Sequence, residues 1–408
     1  MSSSAPVVNL SMIKEAQERL KNVALHTGLS YTSSLSDICG GEVFLKMENL
    51  QRTGSFKLRG AYNKIASLTD EERAKGIIAS SAGNHAQGVA LAAKTYGCRA
   101  TICMPKHAPI SKVTATRGYG ADTVLYGEFY DETYAKAVEL QKEHGYTFCH
   151  PFNDPFVMAG QGTIGLEILE DMPDTEMVLV PIGGGGLISG IAAAVKSINP
   201  KIQVIGVQTQ QVPSMKVSRQ IGCVTTVAGG ASLADGIMVK TPGDLTFDTV
   251  QRYVDDIITV DESEIAYAIL FLLERVKTVA EGAGAVPVAA LLHDKVPHCK
   301  GKKIAAMISG GNIDVNMMTR IINNGLIKTG RKVYFDTIIP DTPGSLCSVL
   351  QLISQSGANV LSVTHDRAQK DIEVGYSHVA FELETYNEDH IKELITALES
   401  HHYSVQVR

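Results

Sequence analysis

The chain has 408 residues, 44% of them hydrophobic and 20% charged, with a formal net charge of −6. That length allows one to three domains with a sizeable core, and the mild acidity offers no attraction to nucleic acid or to an anionic membrane, so neither is an expected partner. Seven cysteines without a Cys-x-x-Cys pair imply neither a disulfide frame nor a zinc cluster. No histidine has metal-ligand spacing, no run of about 18 apolar residues offers a membrane span, and Met-Ser-Ser-Ser-Ala-Pro lacks a secretory pattern, so a metal-free cytoplasmic protein is expected.

Residues 11–22 read as an N-capped amphipathic helix. From about residue 54 to 150 the pattern alternates, with strands at 77–80, 99–104 and 123–126 and helices at 86–96 and 132–144. Such alternation predicts a parallel sheet with right-handed crossovers. It resumes after Phe152 and continues to about residue 325, with strands at 177–182, 202–207 and 304–308 and a helix at 187–196. The stretch 323–331, with its Asn-Asn-Gly, reads as a linker. Beyond it come a strand at 332–339, a helix capped by Thr342 with Pro343 in its first turn and Gly357 at its end, strands at 359–367 and 374–384, a helix from Asn387 to about 400, and a strand at 402–407. The order βαββαβ is that of a ferredoxin-like unit.

Three of these strands run into glycine-containing loops. The first leads to Ser81-Ala-Gly-Asn-His-Ala-Gln-Gly88, the second to Gly183-Gly-Gly-Gly186 and the third to Ser309-Gly-Gly-Asn312. A strand that turns through glycines into a helix presents unpaired N–H groups and the positive end of the helix dipole, a ready phosphate site. No Lys follows the four glycines, which excludes the NTP-binding loop. The third glycine of a dinucleotide fingerprint would be Ser189, and strand 202–207 ends in Gln208 rather than an acid, which disfavours a nicotinamide cofactor. A smaller phosphate-bearing cofactor fits better. Lys57 sits between Phe56 and Leu58. A lysine among apolar groups sheds its proton more readily and becomes a nucleophile toward carbonyls, although most lysines are solvated surface charges.

With Ser-Phe-Lys57-Leu-Arg-Gly added to those three loops, the chain resembles the threonine dehydratases (threonine ammonia-lyases), pyridoxal-phosphate enzymes of the tryptophan-synthase-β fold. Four ordered motifs carry the resemblance over roughly residues 8–327. It implies an α/β catalytic region at 1–327 built from two parallel-sheet domains, the smaller, 54–150, inserted in the larger. It implies pyridoxal 5′-phosphate bound at Lys57 as a Schiff base and bordered by Phe56. Asn84 would bond the ring hydroxyl, Gly183, Gly184, Gly185, Gly186 and Leu187 the phosphate, and Ser309 would face the pyridine nitrogen. Ser81, Ala82, Gly83, Asn84 and His85 would hold the carboxylate of an amino-acid substrate. The implied reaction takes the α-proton of L-threonine, and of L-serine, onto Lys57, expels the β-hydroxyl and yields a 2-oxo acid and ammonia.

Two residues sharpen this reading. A hydroxyl at Ser309 cannot hold a proton on the ring nitrogen as a carboxylate does, which favours β-elimination over transamination. Racemases of the same family carry a serine where Ala82 stands, and alanine has no proton to deliver. A serine racemase with side dehydratase activity, a non-catalytic amino-acid sensor and a nicotinamide dehydrogenase are the rival readings. Glu281-Gly-Ala-Gly-Ala is similar to the family's acidic loop near the cofactor, while a solvated carboxylate there is equally consistent with the sequence.

The region 328–408, with Asp341-Thr-Pro-Gly-Ser at its first turn, resembles an ACT regulatory domain. That implies an amino-acid effector held between paired copies near Asp341, Gly344, Leu346, Asn359 and Val360. A domain that only dimerises remains the alternative. Relatives imply a homodimer or homotetramer. A single C-terminal unit suits neither the long biosynthetic form nor the short catabolic one, so the pathway stays open.

Overall fold

The computed structural model describes residues 7–368 and 371–408. Contacts divide the chain after residue 313 into two units.

The first unit holds two sheets. β1 (Leu29–Tyr31), β2 (Glu42–Met47), β3 (Ile77–Ser80), β4 (Ala100–Met104), β5 (Asp122–Leu125), β6 (Thr147–Phe148), β7 (Met177–Pro181), β8 (Gln203–Thr209), β9 (Asp256–Val260) and β10 (Lys303–Ile308) follow in chain order. The larger sheet runs β1-β2-β10-β7-β8-β9 and the smaller β5-β4-β3-β6. β1 pairs antiparallel with β2, and the other pairings in both sheets are parallel. All five residues of β7 and of β4 are buried, as expected of parallel strands covered on both faces by helices. Because β2, β10 and β7 are parallel neighbours, the segments after Met47, Ile308 and Pro181 leave the sheet at one edge, where α/β proteins bind ligands. The bridge Ser55↔Gly310 and the bond from Phe56 N to Ser309 O at 3.1 Å tie the first two exits together.

The second unit opens with the helix Val315–Lys328, whose N-cap Asp314 accepts from Asn316 N. The linker expected at 323–331 is therefore mostly helix: Ile321 is buried and Met317, Met318 and Ile322 half-buried, so packing overrides the turn preference of Asn-Asn-Gly. β11 (Lys332–Pro340), β12 (Asn359–Asp366), β13 (Tyr376–Glu384) and β14 (Gln406–Val407) form an antiparallel sheet in the order β12-β13-β11-β14. Phe335 and Phe381 stack with centroids 5.1 Å apart at its centre. The final strand is shorter than the expected 402–407. The first helix of this unit is Ser345–Ser356 and its cap is Gly344 at φ +99°, not Thr342, so Pro343 precedes the helix. Among the described residues no helix is long and apolar enough to cross a membrane.

Candidate functional site

Lys57 is the first residue of the helix Lys57–Ala66. Its Nζ donates to Pro151 O at 3.0 Å and lies 5.2 Å from the centre of the Phe56 ring. Burial pushes the amine's pKa down to about 8, against the opposing pull of Glu281 and Cys149. A free lysine in water is almost wholly charged at neutral pH; here a usable fraction is the nucleophilic amine. His85 and His150 lie nearby and are held neutral, chiefly by burial, at about 3 and about 4. His150 Nδ1 accepts from Phe152 N at 3.3 Å and Asn153 N at 2.8 Å.

Phe152, next to the acceptor of the Lys57 amine, packs against Gly184 and Gly186 of the four glycines. A Cβ on Gly184 would stand 2.5 Å from three Phe152 ring carbons, and one on Gly186 2.8 Å from Phe152 Cα. One on Gly185, at φ +97°, would meet Met215 and Thr246, and one on Gly183 would meet Ile237 Cα at 2.9 Å. The glycines are thus dictated by close packing behind the loop, with left-handed geometry required at Gly185. Among the described residues, the N–H groups of Gly183 to Leu187 have no protein acceptor. Buried N–H groups seldom stay unpaired, so this cluster at the start of the helix Gly186–Ile198 calls for an anion. An amine and a phosphate nest on either side of the Pro151-Phe152 step fit a cofactor that carries both an aldehyde and a phosphate.

The loop after β3 forms a second nest. Gly83 N donates to Ser81 Oγ at 3.1 Å and Ala86 N to Gly83 O at 3.1 Å, while Ala82, Asn84 and His85 donate their N–H to no protein acceptor among the described residues. The His85 side chain turns away from this loop. It is buried, and its Nε2 donates to Cys149 O at 2.8 Å, so only its backbone faces a ligand there. Gly88 lets the helix Asn84–Tyr96 press on the main chain of Lys57, which an added Cβ would meet at 3.1 Å.

Asn84 Nδ2 donates to both carboxylate oxygens of Glu281 at 2.9 Å, and its Oδ1 accepts from Asn312 Nδ2 at 2.7 Å. Glu281 is not the solvated carboxylate that the sequence allowed. It is buried, and burial raises its pKa to about 7 despite the Asn84 bond. Ser309 is buried at the end of β10, beside the Phe56 backbone. Sequence reasoning missed Pro151, Phe152 and Thr246, and gave Asn312, the last residue of the Ser309-Gly-Gly-Asn312 motif, no role. Lys57 meets Pro151 from 94 residues away and Gly184 meets Thr246 from 62 away, and no local spacing marks these partners.

In the second unit, Asp341 follows β11, accepts from Arg367 Nε at 2.9 Å and precedes Gly344. Asn359 and Val360 begin β12, beyond the other end of the 12-residue helix Ser345–Ser356. At the usual rise per residue, that puts them roughly 18 Å from Gly344. Leu346 and Val360 pack against the core of this unit. One copy therefore does not gather the five residues into one pocket.

Residues 23–310 match the family described as pyridoxal-phosphate dependent enzyme. An L-threonine ammonia-lyase of Thermotoga maritima is 57% identical over 98% of this chain and 100% of its own length. Among solved structures, maize serine racemase superposes with a TM-score of 0.74 at 35% identity, covering 79% of this chain and 99% of its own. Threonine deaminase isoform 2 of Solanum lycopersicum does so with 0.72 at 36%, covering 78% and 95%. With a half-buried lysine amine, a cluster of unpaired glycine N–H groups and these relatives, the chain belongs to the pyridoxal-phosphate dependent enzymes.

Proposed function

We propose that this enzyme is an L-threonine ammonia-lyase, acting also on L-serine, that eliminates the β-hydroxyl and yields 2-oxobutanoate (or pyruvate) and ammonia. Pyridoxal phosphate supplies the aldehyde and electron-poor ring that make the α C–H bond of an amino acid acidic. Lys57 Nζ takes the α-proton, a task suited to an amine whose pKa lies near the working pH. The N–H groups of Gly183 to Leu187 hold the phosphate, and those of Ala82, Asn84 and His85, with Ser81, hold the substrate carboxylate. The Phe56 ring covers one side of the amine. Asn84, fixed by Glu281 and Asn312, would hold the ring, and Ser309, a hydroxyl rather than a carboxylate, would leave it a moderate electron sink suited to β-elimination. The α-proton taken up by Lys57 and the departing hydroxide together make one water, and the released enamine takes up water to give the 2-oxo acid and ammonia.

The observation that carries this reading is the Lys57 amine 3.0 Å from Pro151 O, one residue from the ring that packs on the glycine nest. Borohydride treatment of the coloured protein should fix a phosphopyridoxyl group on Lys57, and threonine should give 2-oxobutanoate. Label on another lysine would overturn the assignment. Ala82 supports a lyase over a racemase, because its methyl group offers no proton on the face opposite Lys57. The C-terminal unit is read as a regulatory domain. Since its candidate residues lie at opposite ends of one helix, an amino-acid effector would need a second copy to bring both ends to one ligand, in a dimer or tetramer.

A further inference from the structure

Lys57 opens its helix without a side-chain cap: the N-cap residue is Phe56, whose side chain accepts nothing. An uncapped first turn frays, yet the reaction needs this amine held in place. Two residues on, Arg59 is 1% exposed and all its donors are filled. Nε and Nη2 grip Glu48 at 2.9 and 2.7 Å, Nη1 and Nη2 grip Glu167 at 2.5 and 2.9 Å, and further bonds reach Thr163 Oγ1 at 3.2 Å and Leu25 O at 2.9 Å. Both carboxylates are secured in turn, Glu48 by Thr27 Oγ1 at 2.5 Å and Glu167 by buried Lys46 at 2.7 Å. Beside this clamp, Gly60 and Gly160 bring two helices into backbone contact. A Cβ on Gly160 would stand 2.5 Å from Arg59 O. The partner helix, Pro155–Asp171, begins three residues after Phe152, so the same contact registers the amine against its acceptor and against the ring behind the glycines.

We propose that Arg59, forked between Glu48 and Glu167, is a positioning residue for the reaction, anchoring the uncapped first turn and setting the place of the Lys57 amine; this rests on the reading that Lys57 carries the cofactor. Such a pair of buried carboxylates requires the planar five-donor guanidinium, and lysine offers three donors on a flexible stem. A buried pair of this kind is weak evidence for stability as such and better explained by what it holds in register.

The test uses the holoenzyme. In the parent, borohydride labelling must map to Lys57; label elsewhere overturns the reading of Lys57 rather than the role of Arg59. Arg59→Lys should then lower kcat about tenfold to a hundredfold while KM changes by less than about threefold, because displaced reacting groups cost rate more than binding. Release of the bound cofactor by hydroxylamine, read at its visible band, should quicken by about tenfold. Glu48→Gln, which keeps shape and one acceptor oxygen, should move both readouts in the same direction and serves if Arg59→Lys fails to fold. Ile257→Ala, a core truncation on β9, should lower stability and leave both readouts within about twofold of the parent. If the variants at 59 and 48 lose stability but keep parental kcat and hydroxylamine kinetics, the clamp supports only the fold and the proposal fails.

Discussion

Gly186→Ala tests the packing behind the phosphate nest. The added Cβ would lie 2.8 Å from Phe152 Cα and 2.9 Å from its Cβ and O. Ordinary carbon contacts begin near 3.5 Å, so the two segments must part by about 0.7 Å. The obstacle is main chain, and a rotamer change cannot remove it. The Phe152 segment is also anchored, through the bonds from its N and Asn153 N to His150 Nδ1. Overpacking of this kind costs about 1–3 kcal/mol. Alanine's helix propensity counts little at Gly186, the first helical residue, and its φ is not left-handed, so the effect is steric. The empty loop can relax outward, whereas the loaded site needs its N–H groups aimed inward, so much of the cost falls on cofactor affinity. That corresponds to about a 5- to 150-fold rise in Kd, measured by absorbance titration of resolved protein with pyridoxal phosphate. Gly83→Ala, where a Cβ meets nothing within 4 Å, should leave that Kd near the parental value. Parental affinity and stability in Gly186→Ala would refute the close-packing argument.

Ala82→Ser places a hydroxyl on the face opposite Lys57 and should let D-serine form from L-serine beside pyruvate; D-serine at background in a folded, active variant counts against the assigned position. Glu281, raised to about 7 from 4.5 by burial, gives the cofactor-free protein stability that is full below pH 4.5 and is lost as pH rises through 7. Glu281→Gln should flatten that slope, worth up to about 3 kcal/mol, in denaturant melts between pH 5 and 8; an unchanged slope would show that Glu281 is ionised throughout. Gly344→Ala forces alanine to φ +99° with nothing within 4 Å, so the cost of about 1–2 kcal/mol is conformational. It should speed amide exchange in the helix Ser345–Ser356, and unchanged exchange would refute the left-handed cap.

Local chemistry was the most legible part. The glycine run, the burial of β7 and the alternation that builds both sheets can be read without knowing any partner, because hydrophobic period and backbone sterics act over a few residues. What escaped depends on contacts across the chain. Glu281 is 197 residues from Asn84, and nothing near Gly282 says whether a carboxylate at the helix start faces water or a buried amide. The helix at 315–328 was missed for a related reason. Asn-Asn-Gly is a strong local turn signal, and only the buried Ile321 with its half-buried neighbours outweighs it. The candidate effector residues show the converse: Gly344 and Asn359 are near in sequence and separated in space by the helix between them.

Strand order accounts for how motifs so far apart make one site. β2, β10 and β7 are consecutive in the sheet although the chain visits them in the order β2, β7, β10. All three run parallel, so Lys57 with the clamp residue Glu48, Ser309 with Asn312, and the four glycines all emerge at one edge. The smaller sheet supplies the fourth motif, and its docking is fixed by small residues: Gly88 against the Lys57 main chain and Gly310 beside Asn84 and Glu281, where an added Cβ would lie 3.1 Å from Lys57 C and 2.5 Å from Glu281 Oε1. Each glycine therefore sets a distance between two elements as much as a backbone angle. It follows that substitutions at Gly88 and Gly310 should impair cofactor geometry even though neither residue bears a reactive group. That links the fold's closest approaches to the position of a single amine.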